Sequence, residues 1–401
     1  MHQSLTERLP TPPPEAAALS KALLERIADE VAAGGGWLGF DRYMELALYA
    51  PGAGYYSAGS ANFGAAGDFV TSPELGALFA RTLAHQVADV LATLGGGEVL
   101  EFGAGSGALA AVLLAELDRL DCLPVRYAIL ELSAELRERQ HAAIAARVPR
   151  ALSRLDWLTQ WPETPMRGVV LANEVLDAMP VRVFGLAGGQ VWEHGVGLSE
   201  PGLGWTRRPS DPDFEAAVRH RLPGAVEDYP EGYRGELNER LLPWFMGLAD
   251  TLAQGVALLV DYGGVSAEVY RPQRTAGTLR AYYRHRLLDA PFWWPGLCDL
   301  TADVDFTAAA EAAEAAGLHV AGFAPQAQML LHGGLEAVFA EAFAAAPDEP
   351  ARLRLAQEVK RLTLPDEMGE RFWGLALSRD YEGRLPGFES RDFRYRLGAG
   401  R

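Results

Sequence analysis

Residues 97 to 107, GEVLEFGAGSG, constrain this chain more than any other stretch. Val99, Leu100 and Phe102 form a short apolar run of the kind that makes a buried strand. The run ends in Gly103-Ala104-Gly105-Ser106-Gly107, and the Ala/Leu-rich segment ALAAVLLAEL follows directly. Strand, glycine turn and helix together make the nucleotide-cradling corner of an open α/β sheet. Glycine is needed there because a Cβ would block close approach of backbone N–H groups to a ligand. Gly103, Gly105 and Ala108 also stand at the spacing of the dinucleotide fingerprint. Glu101 tips the reading. A carboxylate at the strand tip suits a cationic ligand such as S-adenosylmethionine (SAM), with its sulfonium and amino group, and repels a pyrophosphate.

Further strand-like runs lie at 126–132, 168–172 and 256–262, with helical patterns between them, as βαβ repetition requires. A late strand is expected at 319–323, and 373–377 is expected to close the sheet. The chain therefore reads as α/β and Rossmann-like. Residues 1–94 are expected to form an N-terminal arm, a helix over 15–33 and ordered loops over 37–74, framing the site on the substrate side. The core is expected over 95–381, with a β-rich insertion at about 181–235, where VRVFGL and QVWEHGVGL break the βα rhythm. Residues 382–401 are expected to be a tail without clear pattern.

Composition narrows the function classes. A net charge of −17 argues against nucleic-acid binding, which needs basic surface, and is compatible with a basic substrate. There is no apolar run of about 18 residues, so no membrane span is expected. Neither a secretory leader nor an Arg-rich transit peptide is visible at the N-terminus, and Cys122 and Cys298 form no metal-ligand pattern. A reducing cytoplasm is the expected location. No metal site is expected, since the eight histidines show no ligand pair.

Glu131 closes the second strand, placed to accept both hydroxyls of a ribose lying over the glycine turn. A solvated strand-end acid is the plainer alternative; the glycine loop favours the ribose. Leu132 adjoins it. Asp156-Trp157, after the third strand region, could meet an adenine, the acid accepting from its amino group and the indole lying on its face. A plain core Trp competes closely with that reading. The cofactor set is thus Glu101, Gly103, Ala104, Gly105, Gly107, Glu131, Leu132, Asp156, Trp157 and Asn173.

Several longer strings carry a resemblance. They are GYY at 54–56, GDFVTSPE at 67–74, NEVLDAMPV at 173–181, DYG at 261–263, DLTADVDF at 299–306 and MGERF at 368–372. In this order they resemble the SAM-dependent methyltransferase family (MidA-like) that includes the mitochondrial protein arginine methyltransferase acting in complex I assembly. The resemblance implies a class I fold with about seven strands, SAM as cofactor, and an acceptor arginine on a protein, a respiratory-complex subunit being the implied partner. One departure is Asp303, where the family frequently has His. A homodimer is compatible with the sequence.

Methyl transfer from a sulfonium is an in-line displacement, and a guanidinium is a poor nucleophile because its pKa lies above about 12. Carboxylates can hold its charge on two nitrogens, leave the third richer in electrons and fix the planar fork. Glu174, Asp177 and Asp68 are the candidates. If 174–178 turns helically, Glu174 and Asp177 share one side. The plainer roles are a cap for Asp177 and local backbone bonding for Asp68. Asp305 reads as the N-cap of the FTAAAEAAEAA helix, and the pairs Tyr282-Tyr283 and Trp293-Trp294 as core or a recognition surface. Two competitors remain: a SAM-holding assembly factor without turnover, and a nicotinamide-dependent oxidoreductase, which Glu101 disfavours.

Overall fold

Five apolar segments, each ending in or directly followed by a polar or glycine residue, assemble the parallel part of one sheet. They are β1 (Glu98–Phe102), β2 (Tyr127–Leu130), β3 (Leu155–Leu158), β4 (Met166–Asn173) and β5 (Leu252–Gly264). The computed structural model describes residues 9–57, 72–200 and 202–398. They divide into two compact units, each described by itself. A sheet unit comprises 72–176, 241–265 and 304–398; a β-rich unit comprises 9–57, 177–240 and 266–303.

In the sheet unit β6 (His319–Pro325) and β7 (Phe372–Arg379) complete the path β6-β7-β5-β4-β1-β2-β3. The two-residue strand Val304–Asp305 pairs with the end of β5. Seven strands lie along the path, as expected, but β7 does not close an edge. It inserts antiparallel between β5 and β6. Its seven buried residues of eight explain why: a strand apolar on both faces belongs inside a sheet covered on both sides. The order reverses between β1 and β4, whose carboxyl ends therefore flank a crevice.

Helices α1 (Leu78–Leu94), α2 (Ala108–Arg119), α3 (Ala134–Arg147) and α4 (Phe306–Ala315) belong to this unit. Along α1, Phe79, Leu83, Val87 and Val90 recur at helical spacing and are buried in the same cluster as Val99 and Val169. The expected boundary after residue 94 is thus corrected: α1 is part of the sheet unit. So is the tail, where Leu385 and Phe388 are buried in that cluster. Asp305 caps α4 as expected, accepting from the N–H groups of Thr307 and Ala308 at 3.0 and 3.2 Å. Asp305→Ala should cost about 1 kcal/mol and lower the melting temperature by a few degrees. An unchanged melting curve would remove that role.

The β-rich unit holds an antiparallel sheet ordered Leu38–Gly39, Gln190–Ser199, Arg182–Ala187, Tyr233–Leu237, with Gly202–Pro209 pairing Gln190–Ser199. The insertion is larger than 181–235, since 177–240 and 266–303 both join this unit. Helix Pro14–Ala33 forms as expected, but Phe40–Tyr49 is a helix where ordered loops were expected. Phe40, Tyr43, Met44, Ala47 and Leu48 are buried at helical spacing, so this amphipathic face outweighs the glycines around it. Tyr283 is 4% exposed and packs on Trp294, so these aromatics serve a core. Asp303 is ion-paired to Arg274 and Arg280.

Candidate active site

The glycine turn leaves β1 with Gly103, Gly105 and Gly107 at φ of 61°, 52° and 84°. All three lie in the left-handed region, where a Cβ is penalised. Gly107 is required for a second reason, because a Cβ there would lie 2.8 Å from the Cα of Gln140. Ser106 donates from its hydroxyl to Glu74, the last residue of GDFVTSPE, which ties that residue to the turn. Asp68 of the same string lies outside the described residues.

Glu101 is 1% exposed, and the Tyr127 hydroxyl donates to its Oε2 at 2.6 Å. Burial pushes its carboxyl up to about 7, against the pull of the Tyr127 bond and with a push from the Glu131 charge. The buried carboxylate therefore destabilises the apoprotein above its ordinary value of 4.5, increasingly until the pH passes about 7. Glu101→Gln should melt higher relative to wild type at pH 8 than at pH 5. A melting difference that does not change with pH would contradict this.

Glu131 follows β2 directly. Its Oε1 accepts from the Ser133 N–H at 2.9 Å and its Oε2 from Gln140 Nε2 at 3.1 Å. Burial raises its pKa, and these bonds oppose the rise. Leu132 beside it is 61% exposed, an apolar side chain left open to solvent. Of the next pair, Trp157 donates its indole N–H to Gln140 Oε1 at 2.9 Å. Asp156 is corrected as an adenine acceptor. Adjacent strand residues face opposite sides, and its carboxylate is taken by Arg126 Nη1 at 3.1 Å, near Glu98 at the amino end of β1.

Asn173 ends β4 beside the glycine turn, since Phe102 pairs with Ala172 in register. A Cβ on Gly103 would lie 3.5 Å from Val175 Cγ2. Asn173 Nδ2 donates to Glu174 Oε1 at 3.2 Å, while its Oδ1 is buried with no hydrogen-bond partner among the described residues. Glu174 sits at φ 54°, a left-handed conformation that a non-glycine residue holds only when its surroundings enforce it. They do: its N–H donates to Val260 O at 2.9 Å, and the Leu176 N–H donates to Asp261 Oδ2 at 2.9 Å. The condition that 174–178 turn helically is not met, because Glu174 adopts this backbone instead. Asp177 belongs to the β-rich unit, where it is 5% exposed and its carbonyl accepts from the Ala302 N–H at 3.0 Å.

Tyr127, Gln140 and Asp261 escaped the sequence reading. Gln140 had a visible signal, a polar residue midway between Leu136 and Ile144 on the buried stripe of α3. Tyr127 had none, and Asp261 was visible only as a member of the DYG string, since the roles of both depend on neighbouring strands.

The strand order reverses at the left-handed glycine turn, and Glu101, Glu131 and Glu174 lie at or beside the strand ends there, an acidic set that favours a cation over a pyrophosphate. The Asn173 Oδ1 is an acceptor for which the described residues supply no donor. Fold and site together define a class I SAM-dependent methyltransferase. A family model described as "Putative S-adenosyl-L-methionine-dependent methyltransferase" matches residues 82–324, and the chain belongs to this family. SAM is the cofactor, and the oxidoreductase alternative falls.

The chain is similar to the mitochondrial protein arginine methyltransferase NDUFAF7 homolog of Drosophila melanogaster, 29% identical over 84% of this chain and 80% of that one. The Caenorhabditis elegans homolog is 29% identical over 66% of this chain, and the match spans 65% of its own length. A crystal structure from Burkholderia thailandensis, bound to S-adenosyl-homocysteine (SAH), superposes with a TM-score of 0.90. It is 42% identical, covering 96% of this chain and 99% of that one. The cytoplasmic expectation is overturned by the relatives, which are named as mitochondrial proteins. Two free cysteines report on redox conditions and not on a compartment, so that inference had no physical discriminating power. Among the described residues no helix is long and apolar enough to cross a membrane.

Proposed function

We propose that this methyltransferase acts on an arginine side chain of a protein. The observation that carries the reading is Glu174, held in a left-handed backbone at the carboxyl end of β4, next to the glycine turn. The names of the relatives above support arginine as the acceptor. SAM, when bound, supplies an electrophilic methyl group on its sulfonium. The glycine turn, Glu131, Leu132 and Trp157 are assigned to hold the nucleoside, and Glu101 with Asn173 to hold the charged end.

Glu174 accepts from the guanidinium, localises its charge on two nitrogens and leaves the third available to attack. Alignment of nucleophile and methyl then contributes much of the rate. Asp177 and Asp68 are the further carboxylates assigned to the acceptor. A respiratory-complex subunit is the proposed protein substrate, and a homodimer the proposed assembly.

The test is incubation of purified protein with methyl-labelled SAM and a mitochondrial lysate, followed by hydrolysis of the labelled band. Methylarginine is the expected product. Methyl-lysine or a labelled small molecule would reject the arginine assignment. SAH binding without any labelled product would favour an assembly factor that holds SAM without turnover.

A further inference from the structure

We propose that Gln140 is a positioning residue that sets the cofactor's ribose site by locking Glu131, the glycine turn and Trp157 to one another. The proposal rests on the reading that Glu131 holds the ribose. Gln140 is fully buried, on a stripe of α3 whose neighbours Leu136 and Ile144 are apolar. A buried amide is tolerated only when its hydrogen bonds are made, and here they are. Nε2 donates to Gly105 O at 3.0 Å and to Glu131 Oε2 at 3.1 Å, and Oε1 accepts from Trp157 Nε1 at 2.9 Å.

The amide has one permitted orientation. The indole N–H only donates, and the carbonyl and carboxylate only accept, so a flipped amide would face like groups at every contact. One side chain therefore bonds three segments that leave three adjacent strands: the turn after β1, the acid after β2 and the tryptophan of β3. The close seat of Gly107 on the Gln140 Cα adds a steric lock to the same pairing. The consequence concerns Glu131. With Oε2 held by Gln140 and Oε1 by the Ser133 N–H, its rotamer is set before ligand arrives, and its remaining lone pairs stay available to two hydroxyls. The hydrogen bond from Gln140 also opposes the burial that favours the protonated acid, which could not accept from both.

The test is calorimetry with SAH and with its 2′-deoxyribose analogue, on wild type, Gln140→Met, Gln140→Glu and Glu131→Gln, each checked for folding by thermal melt. Wild type should prefer SAH by about tenfold or more. Gln140→Met, similar in size and unable to hydrogen-bond, should weaken SAH about ten- to a hundredfold and shrink that preference. Gln140→Glu should bind poorly at pH 8, where two carboxylates meet, and recover toward wild type at pH 6, where a proton on the new acid restores the donor. A general loss of packing would not reverse with pH.

A folded Gln140→Met with wild-type affinity and preference overturns the proposal. If Gln140→Met fails to fold, a ratio of Gln140→Glu to wild-type affinity that does not change with pH overturns it. Glu131→Gln separates the two readings. Should it bind SAH as wild type does, the ribose assignment fails; should it bind weakly while Gln140→Met does not, only the role of Gln140 fails.

Discussion

Gly105→Val should abolish SAM and SAH binding in a protein that still folds. Gly105 sits at φ 52°, where an ordinary side chain costs roughly 1–2 kcal/mol and a β-branched one more. Its carbonyl is also held by Gln140 at 3.0 Å, so the turn cannot relax without breaking that bond. The added methyls would occupy the space beside the turn through which backbone N–H groups approach a ligand. Calorimetry with SAH is the measurement, and a melting curve is the control for folding. Wild type should bind SAH and leave NAD unbound, because Glu131 and Glu174 place carboxylates beside the glycine turn, where they repel a pyrophosphate. A Gly105→Val protein with wild-type affinity would show that the turn is not the cofactor floor.

Glu174→Gln should retain most of the SAH affinity and lose methylation by about ten- to over a hundredfold, the cost of one charge-assisted contact. Glutamine matches glutamate in size and in its tolerance of φ 54°, so the main-chain bond to Val260 should persist. What disappears is the charge that organises the acceptor. The loss should fall on kcat, since the interaction is made with the acceptor as it is brought to react. Equal turnover in mutant and wild type would reject the role given to Glu174. A parallel loss of SAH affinity would move Glu174 from the acceptor to the cofactor.

Short-range patterns foretold much of the sheet unit. Apolar runs closed by a glycine or a polar residue placed β1, β4 and β5, and the GAGSG turn marked the corner between β1 and α2. These signals are local, because a strand needs only its own apolar residues and the turn only its own glycines. The capping role of Asp305 was legible for the same reason. The helix over Phe40–Tyr49 was not, since its apolar spacing lies among glycine- and tyrosine-rich neighbours that suggest loops.

The sequence alone determined the class of fold, the glycine turn after β1 and the acids Glu101, Glu131 and Glu174 at or beside strand ends, because each depends on residues adjacent in the chain. The tertiary structure decided what those acids touch. Strand pairing alone sets Tyr127 against Glu101, and the packing of α3 alone brings Gln140 between Glu131, Gly105 and Trp157. The alternation of β3 turned Asp156 to Arg126, and hydrogen bonds from β5 held Glu174 in a backbone that no local preference would select. These are contacts between segments far apart in the chain, and their free energy exists only once the sheet has formed.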